Sequence, residues 1–120
     1  MACGRKNFYA LGRLKAGEMN KTEAAYKERL QSMLNAGEIL WFKFEGVKLR
    51  LADNTFYSPD FAVMDKLGQI EMHEVKGARK IFQDDAKVKI KVAAELYPFK
   101  FIAAFPIPKN KGGGWEFDEY

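Results

Sequence analysis

Tyr26, Leu30, Met33 and Leu34 recur along one stripe at the period of an amphipathic helix. The pattern predicts a helix over 20–36, with Asn20 as its N-cap, Glu23 three residues later and Gly37 closing the C-terminal end. Beyond Gly37 the pattern becomes β-type, with runs over 39–51, 55–65 and 70–76 separated by turn signals at Asp53-Asn54 and Lys66-Leu67-Gly68. The first run can itself be two strands hinged near Gly46. The stretch 82–97 fits two periods at once. Lys87 to Val92 alternates like a strand, whereas Phe82, Ala86, Ile90, Ala93 and Tyr97 recur at helical spacing. Helix is the better reading, because the stretch is long for a strand, Asp84 and Asp85 suit a helix start and Pro98 ends it. A further apolar strand follows over 99–107, then a loop carrying Gly112-Gly113-Gly114 and an acidic aromatic tail over 115–120.

This order, α-β-β-β-α-β, predicts an α/β fold: a mixed sheet of four to five strands flanked by helices. Its early strands form a mainly antiparallel meander, and the second helix permits a crossover to the last strand. At 120 residues and 48% hydrophobic, the chain is expected to form a single domain over 18–120 with a real core. Residues 1–17 carry Arg5, Lys6, Arg13 and Lys15 and no acidic residue, so they read either as a basic arm or as a frayed terminus. Cys3 is the only cysteine, which excludes an intrachain disulfide and a thiolate zinc site. With neither a signal-peptide pattern nor a spanning apolar run, the expectation is a soluble cytoplasmic protein with no membrane partner.

The candidate chemistry lies between Phe56 and Gly77. Asp60 follows Pro59, and Glu74 and Lys76 stand two residues apart in the next β-run, so they project from one face while Val75 points away. A hairpin closed at Leu67-Gly68 would bring Asp60 beside them. Two carboxylates supply hard oxygen ligands of the kind that Mg²⁺ takes from proteins, and a lysine beside them can position an attacking water or meet a phosphate. The formal charge of +4 and pI near 9.1 favour a polyanionic partner. Glu23 adds to the picture, since it falls about 20° from Leu30 on the helical wheel and so lies along the apolar stripe.

Pro59-Asp60 followed by Glu74-Val75-Lys76 resembles the signature of the PD-(D/E)XK nuclease superfamily. Thr22-Glu23-Ala24-Ala25-Tyr26 and Asn35-Ala36-Gly37-Glu38-Ile39 are similar to segments of small phage-borne endonucleases related to Holliday-junction resolvases. The resemblance spans about 20–107. It implies a restriction-endonuclease-like core and a Mg²⁺- or Mn²⁺-dependent endonuclease acting on DNA, with branched or structured DNA as the substrate class. It further implies a homodimer and, for a phage-encoded chain, the host-cell cytoplasm. Asp60 and Glu74 would be metal ligands, the Val75 carbonyl and Glu23 further ligands, and Lys76 the catalytic lysine.

Each signal has a plainer alternative. Asp60, Glu74 and Lys76 can form an ordinary salt-bridge cluster, and Glu23 can simply complete a capping box with Asn20. Arg79, Lys80, Lys87 and Lys91 are candidates for a phosphate-facing surface, or else a solvated one. Lys89, within the apolar arc of its helix, either snorkels outward or reaches a phosphate. His73 faces away from Glu74 and reads as a packed or surface residue without a catalytic role. Trp41, Phe42, Phe44, Phe56, Phe61, Phe99, Phe101 and Phe105 read as core, with Trp115 left open as a stacking residue. Two other functions stand beside the DNA nuclease: a catalytically inactive module of the same fold that binds nucleic acid or a protein, and an RNA-directed nuclease.

Overall fold

The computed structural model describes residues 17–82 and 85–120. The expected basic arm, apart from Gly17, lies outside these residues, as do Cys3 and Asp84. The first element among the described residues is helix α1, Lys21–Asn35, and its start is built as the sequence predicts. The Asn20 side chain accepts a hydrogen bond from the Glu23 amide at 2.8 Å, and the Glu23 carboxylate accepts one from the Asn20 amide at 3.0 Å. Two of the amides that a helix start leaves unpaired are thereby satisfied. Gly37, at φ +76°, turns the chain out of the helix.

Seven strands follow: β1 (Ile39–Phe44), β2 (Leu49–Ala52), β3 (Thr55–Tyr57), β4 (Phe61–Asp65), β5 (Ile70–Val75), β6 (Lys100–Pro106) and β7 (Trp115–Glu119). Helix α2, Asp85–Leu96, connects β5 to β6 and takes the helical alternative for the ambiguous stretch. Its helical set is the one inside, since Phe82, Ile90 and Ala93 are buried, while Val88 and Val92 are exposed. The main sheet has the order β1-β4-β5-β6-β7, antiparallel except for the parallel pair β5–β6 across the α2 crossover. The fold is therefore α/β, with a five-stranded mixed sheet and two helices.

Three expectations about strands are corrected. The run 55–65 is not one strand, because the chain leaves the strand path at Ser58-Pro59-Asp60 and β3 and β4 join different sheets. Consequently β1 pairs with β4, not with its neighbour in sequence. β2 and β3 form a separate antiparallel ribbon in place of the middle of a meander. The acidic aromatic tail is also a strand: β7 covers the edge of β6, with Phe117 opposite Ala104. Its alternation puts Trp115 and Phe117 on one face and Glu116 and Asp118 on the other, with charges that suit an edge strand.

The sheet is sandwiched. On one face α1 packs Tyr26 and Leu30 against Ile39, Phe61, Val63, Val75 and Ala104. On the other, α2 and the ribbon enclose Met72, Phe101, Ala103 and Phe105 with Ile90, Ala93, Leu49 and Tyr57. Strand alternation divides β6 between these two cores, Phe101, Ala103 and Phe105 facing one and Ala104 the other.

Candidate functional site

The hairpin that carries the site is set by Asp65. Its Oδ1 accepts from the amides of Leu67 and Gln69, both at 2.9 Å, and Gly68 at φ +83° completes the turn. With that turn fixed, β4 and β5 pair so that Phe61 stands opposite His73. Carried one residue further, the register puts Asp60 opposite Glu74. Asp60 Oδ2 indeed reaches β5, accepting from the Val75 amide at 2.8 Å. Carboxylates directly opposite each other on an antiparallel pair repel, and here the repulsion is not diluted by water, because Glu74 is only 6% exposed.

The surrounding residues hold this pair in place. The Tyr57 hydroxyl, also buried, donates to Glu74 Oε1 at 2.8 Å, and Lys76 Nζ lies 3.6 Å from Glu74 Oε2. The Lys76 amide donates to the Ala104 carbonyl at 3.1 Å, which fastens the residue where parallel strands β5 and β6 end. Burial, then the charge of Glu74, pushes the Asp60 carboxyl from 3.8 up to about 8, against the Val75 hydrogen bond that lowers it. Glu23 contributes to the same rise through its charge and a side-chain hydrogen bond. Burial likewise raises Glu74, opposed by the Tyr57 hydrogen bond and by Lys76. Burial and the Glu74 carboxylate together hold the Tyr57 hydroxyl far above its usual range, so it is a fixed donor.

Asp60, Glu74 and Lys76 lie together where β5 ends, with Glu23 close enough to affect both carboxyls, while Val75 points into the α1 face. Glu23 completes the capping box of α1, and its charge also raises the Asp60 and Glu74 carboxyls. Among the described residues, no three His, Cys, Asp or Glu side chains form a ready cation cage. A Mg²⁺ ion does not require one, since it commonly takes one or two protein carboxylates and keeps several waters. Two opposed carboxyls, one buried and one half-buried, both with raised proton affinity, are a donor set that fits such a hard cation.

The basic residues are more dispersed. Arg79 is occupied: its guanidinium pairs with Asp118 at 2.8 and 2.9 Å and with Glu116, and lies over the Phe105 ring. Lys80 and Lys91 are exposed, and Lys87 sits close enough to Asp118 to lower its carboxyl. Lys89 lines a groove with Leu51, Ala52, Thr55, Val88 and Val92 on the α2 side. His73 is packed as expected, between the Tyr26 hydroxyl at 2.5 Å and Glu71 at 2.9 Å. Trp115 stands edge-on to Tyr26 at 4.9 Å, so it packs on the α1 core. Trp41 and Phe56 are not core residues, being 40% and 39% exposed.

Sequence reasoning missed Tyr57. The run 55–65 reads as one long strand, and only the proline signals the break at Ser58-Pro59 that follows Tyr57. A cavity of about 520 Å³, lined by Gln69, Phe99 and Tyr120 among others, lies at the opposite end of β5 and has no part in this cluster. No protein-family model, curated protein or solved structure matches the chain.

Proposed function

We propose that the protein is a metal-dependent endonuclease that hydrolyses DNA phosphodiesters with Mg²⁺ or Mn²⁺, built on a restriction-endonuclease-like core. The observation that carries this reading is the pair of opposed carboxyls, half-buried Asp60 and buried Glu74, with Lys76 directly after β5. Asp60 and Glu74 would hold the cation, with the Val75 carbonyl and Glu23 as further candidates. When bound, the cation supplies charge neutralisation at the scissile phosphate and a more acidic water. Tyr57 keeps Glu74 oriented, and Lys76, 3.6 Å from Glu74 and partly exposed, is placed to meet a water or a phosphate oxygen. Lys80, Lys87, Lys89 and Lys91 would add salt-sensitive phosphate contacts without base specificity. Arg79 would have to leave Asp118 to join them. Branched or structured DNA, a homodimer and a phage origin belong to this reading through the sequence resemblance alone.

One observation favours a second reading, a catalytically inactive nucleic-acid-binding or protein-interaction module. Both Glu74 oxygens and one Asp60 oxygen already have partners within the chain, and no buried side-chain polar atom among the described residues lacks one. The two readings separate on incubating wild type and Asp60→Ala with linear, nicked, flap and four-way-junction DNA in Mg²⁺, Mn²⁺ or EDTA. The nuclease reading expects cleavage that requires metal and falls by about a hundredfold or more in the variant. Salt-sensitive binding without cleavage in any metal would leave the inactive module.

A further inference from the structure

The β2–β3 ribbon has one face in the core and one in solvent. Leu49 and Tyr57 are opposed and buried, whereas the next pair, Arg50 and Phe56, is opposed and exposed. Lys48 Nζ lies 4.6 Å from the centre of the Phe56 ring. An exposed aromatic side chain thus has Lys48 over its ring and Arg50 opposite it on the neighbouring strand. An exposed Phe alone is ordinary, but its location here is not arbitrary. Only Tyr57, Ser58 and Pro59 separate Phe56 from Asp60, a reach of at most about 14 Å along the chain. Phe56 is thus near the site along the chain, on the outer face of the ribbon whose inner face sends Tyr57 to Glu74.

We propose that the outer face of the ribbon binds an unpaired nucleic-acid strand, with Phe56 stacked on a base and Lys48 and Arg50 meeting flanking phosphates. The proposal deepens the nuclease reading and rests on it for the nature of the polymer. The charge is complementary: a cation–π contact at an exposed site is weak, so Lys48 can exchange the ring for a phosphate. The Arg50–Asp53 contact, at 4.0 Å between side chains 63% and 91% exposed, restrains Arg50 little. Stacking on an aromatic ring is indifferent to base identity but needs a free base face, which a duplex interior does not offer. The ribbon consequently selects strand structure, not sequence.

The test is fluorescence anisotropy with a labelled oligothymidylate and with the same strand in duplex, in EDTA so that nothing is cut. Phe56→Ala should weaken single-strand binding about tenfold and duplex binding by less than about twofold, and Phe56→Trp should retain wild-type affinity. Lys48→Ala combined with Arg50→Ala should weaken binding and flatten its salt dependence. Thermal unfolding of each variant controls for folding, which the exposed positions leave intact. Unchanged single-strand affinity in Phe56→Ala, an equal loss on both probes, or no wild-type binding at low salt would overturn the proposal. Because binding is read without metal, absence of cleavage would strike the nuclease reading and leave this result standing.

Discussion

Asp60 and Glu74 share the electrostatic cost of the site. The Asp60 carboxyl is pushed from 3.8 up to about 8, first by its loss of solvent and then by the charge of Glu74. The folded state thus keeps a proton that the unfolded chain releases. Stabilisation from that proton is complete below about pH 4 and is lost as the pH rises through about 8. The metal-free protein should show a urea midpoint that falls from about pH 5 to about pH 8 relative to Asp60→Asn, which keeps an acceptor for the Val75 amide but cannot ionise. A constant difference between the two proteins across that range would contradict the assignment. Cation binding competes with the same proton, so Mg²⁺ should raise the midpoint more at the alkaline end.

At the scale of elements, α1 has two tasks at its first turn. Glu23 accepts from the Asn20 amide, and its charge also reaches Asp60 and Glu74. The Tyr26–His73 hydrogen bond, three residues along, pins the helix to β5 and so fixes where Glu23 stands. A glutamine at the third position still completes a capping box. Glu23→Gln should therefore keep the thermal midpoint close to that of wild type while lowering metal-dependent cleavage by about tenfold, the usual order for an outer ligand of a metal site. A variant that melts early but cleaves normally would reduce Glu23 to a cap.

At the scale of the molecule, the C-terminal strand completes the fold. β7 pairs with β6, sets Trp115 against Tyr26 and Tyr120 against Phe82, and receives Arg79 from the turn after β5 through Glu116 and Asp118. It therefore ties both cores and the turn that follows Lys76 to one edge of the sheet. A chain ending at Gly114 should lose a large fraction of the ~5–15 kcal/mol that a domain commonly has. The expected signs are loss of near-ultraviolet circular dichroism and of a cooperative thermal transition. A truncated chain that melts as wild type does would show that β7 is dispensable.

The sequence by itself determined what local chemistry decides. The capping box at Asn20 and Glu23, the Gly37 and Gly68 turns, and the helix over α2 follow from nearby residues acting through hydrogen bonds, φ preference and a 3.6-residue period. The shared face of Glu74 and Lys76 follows from the two-residue period of a strand. Tertiary structure decided the rest. Whether β1 pairs with β2 or β4 depends on the break at Ser58-Pro59-Asp60, and a pairing partner is a long-range choice that alternation leaves open. The tail became β7 because β6 offered it an edge. Tyr57 met Glu74, Arg79 was drawn to Asp118, and Phe56 was left in solvent, because a side chain's partner depends on which strands stand together. Periodicity fixes the face on which a residue lies, but only the assembled sheet fixes what that face meets.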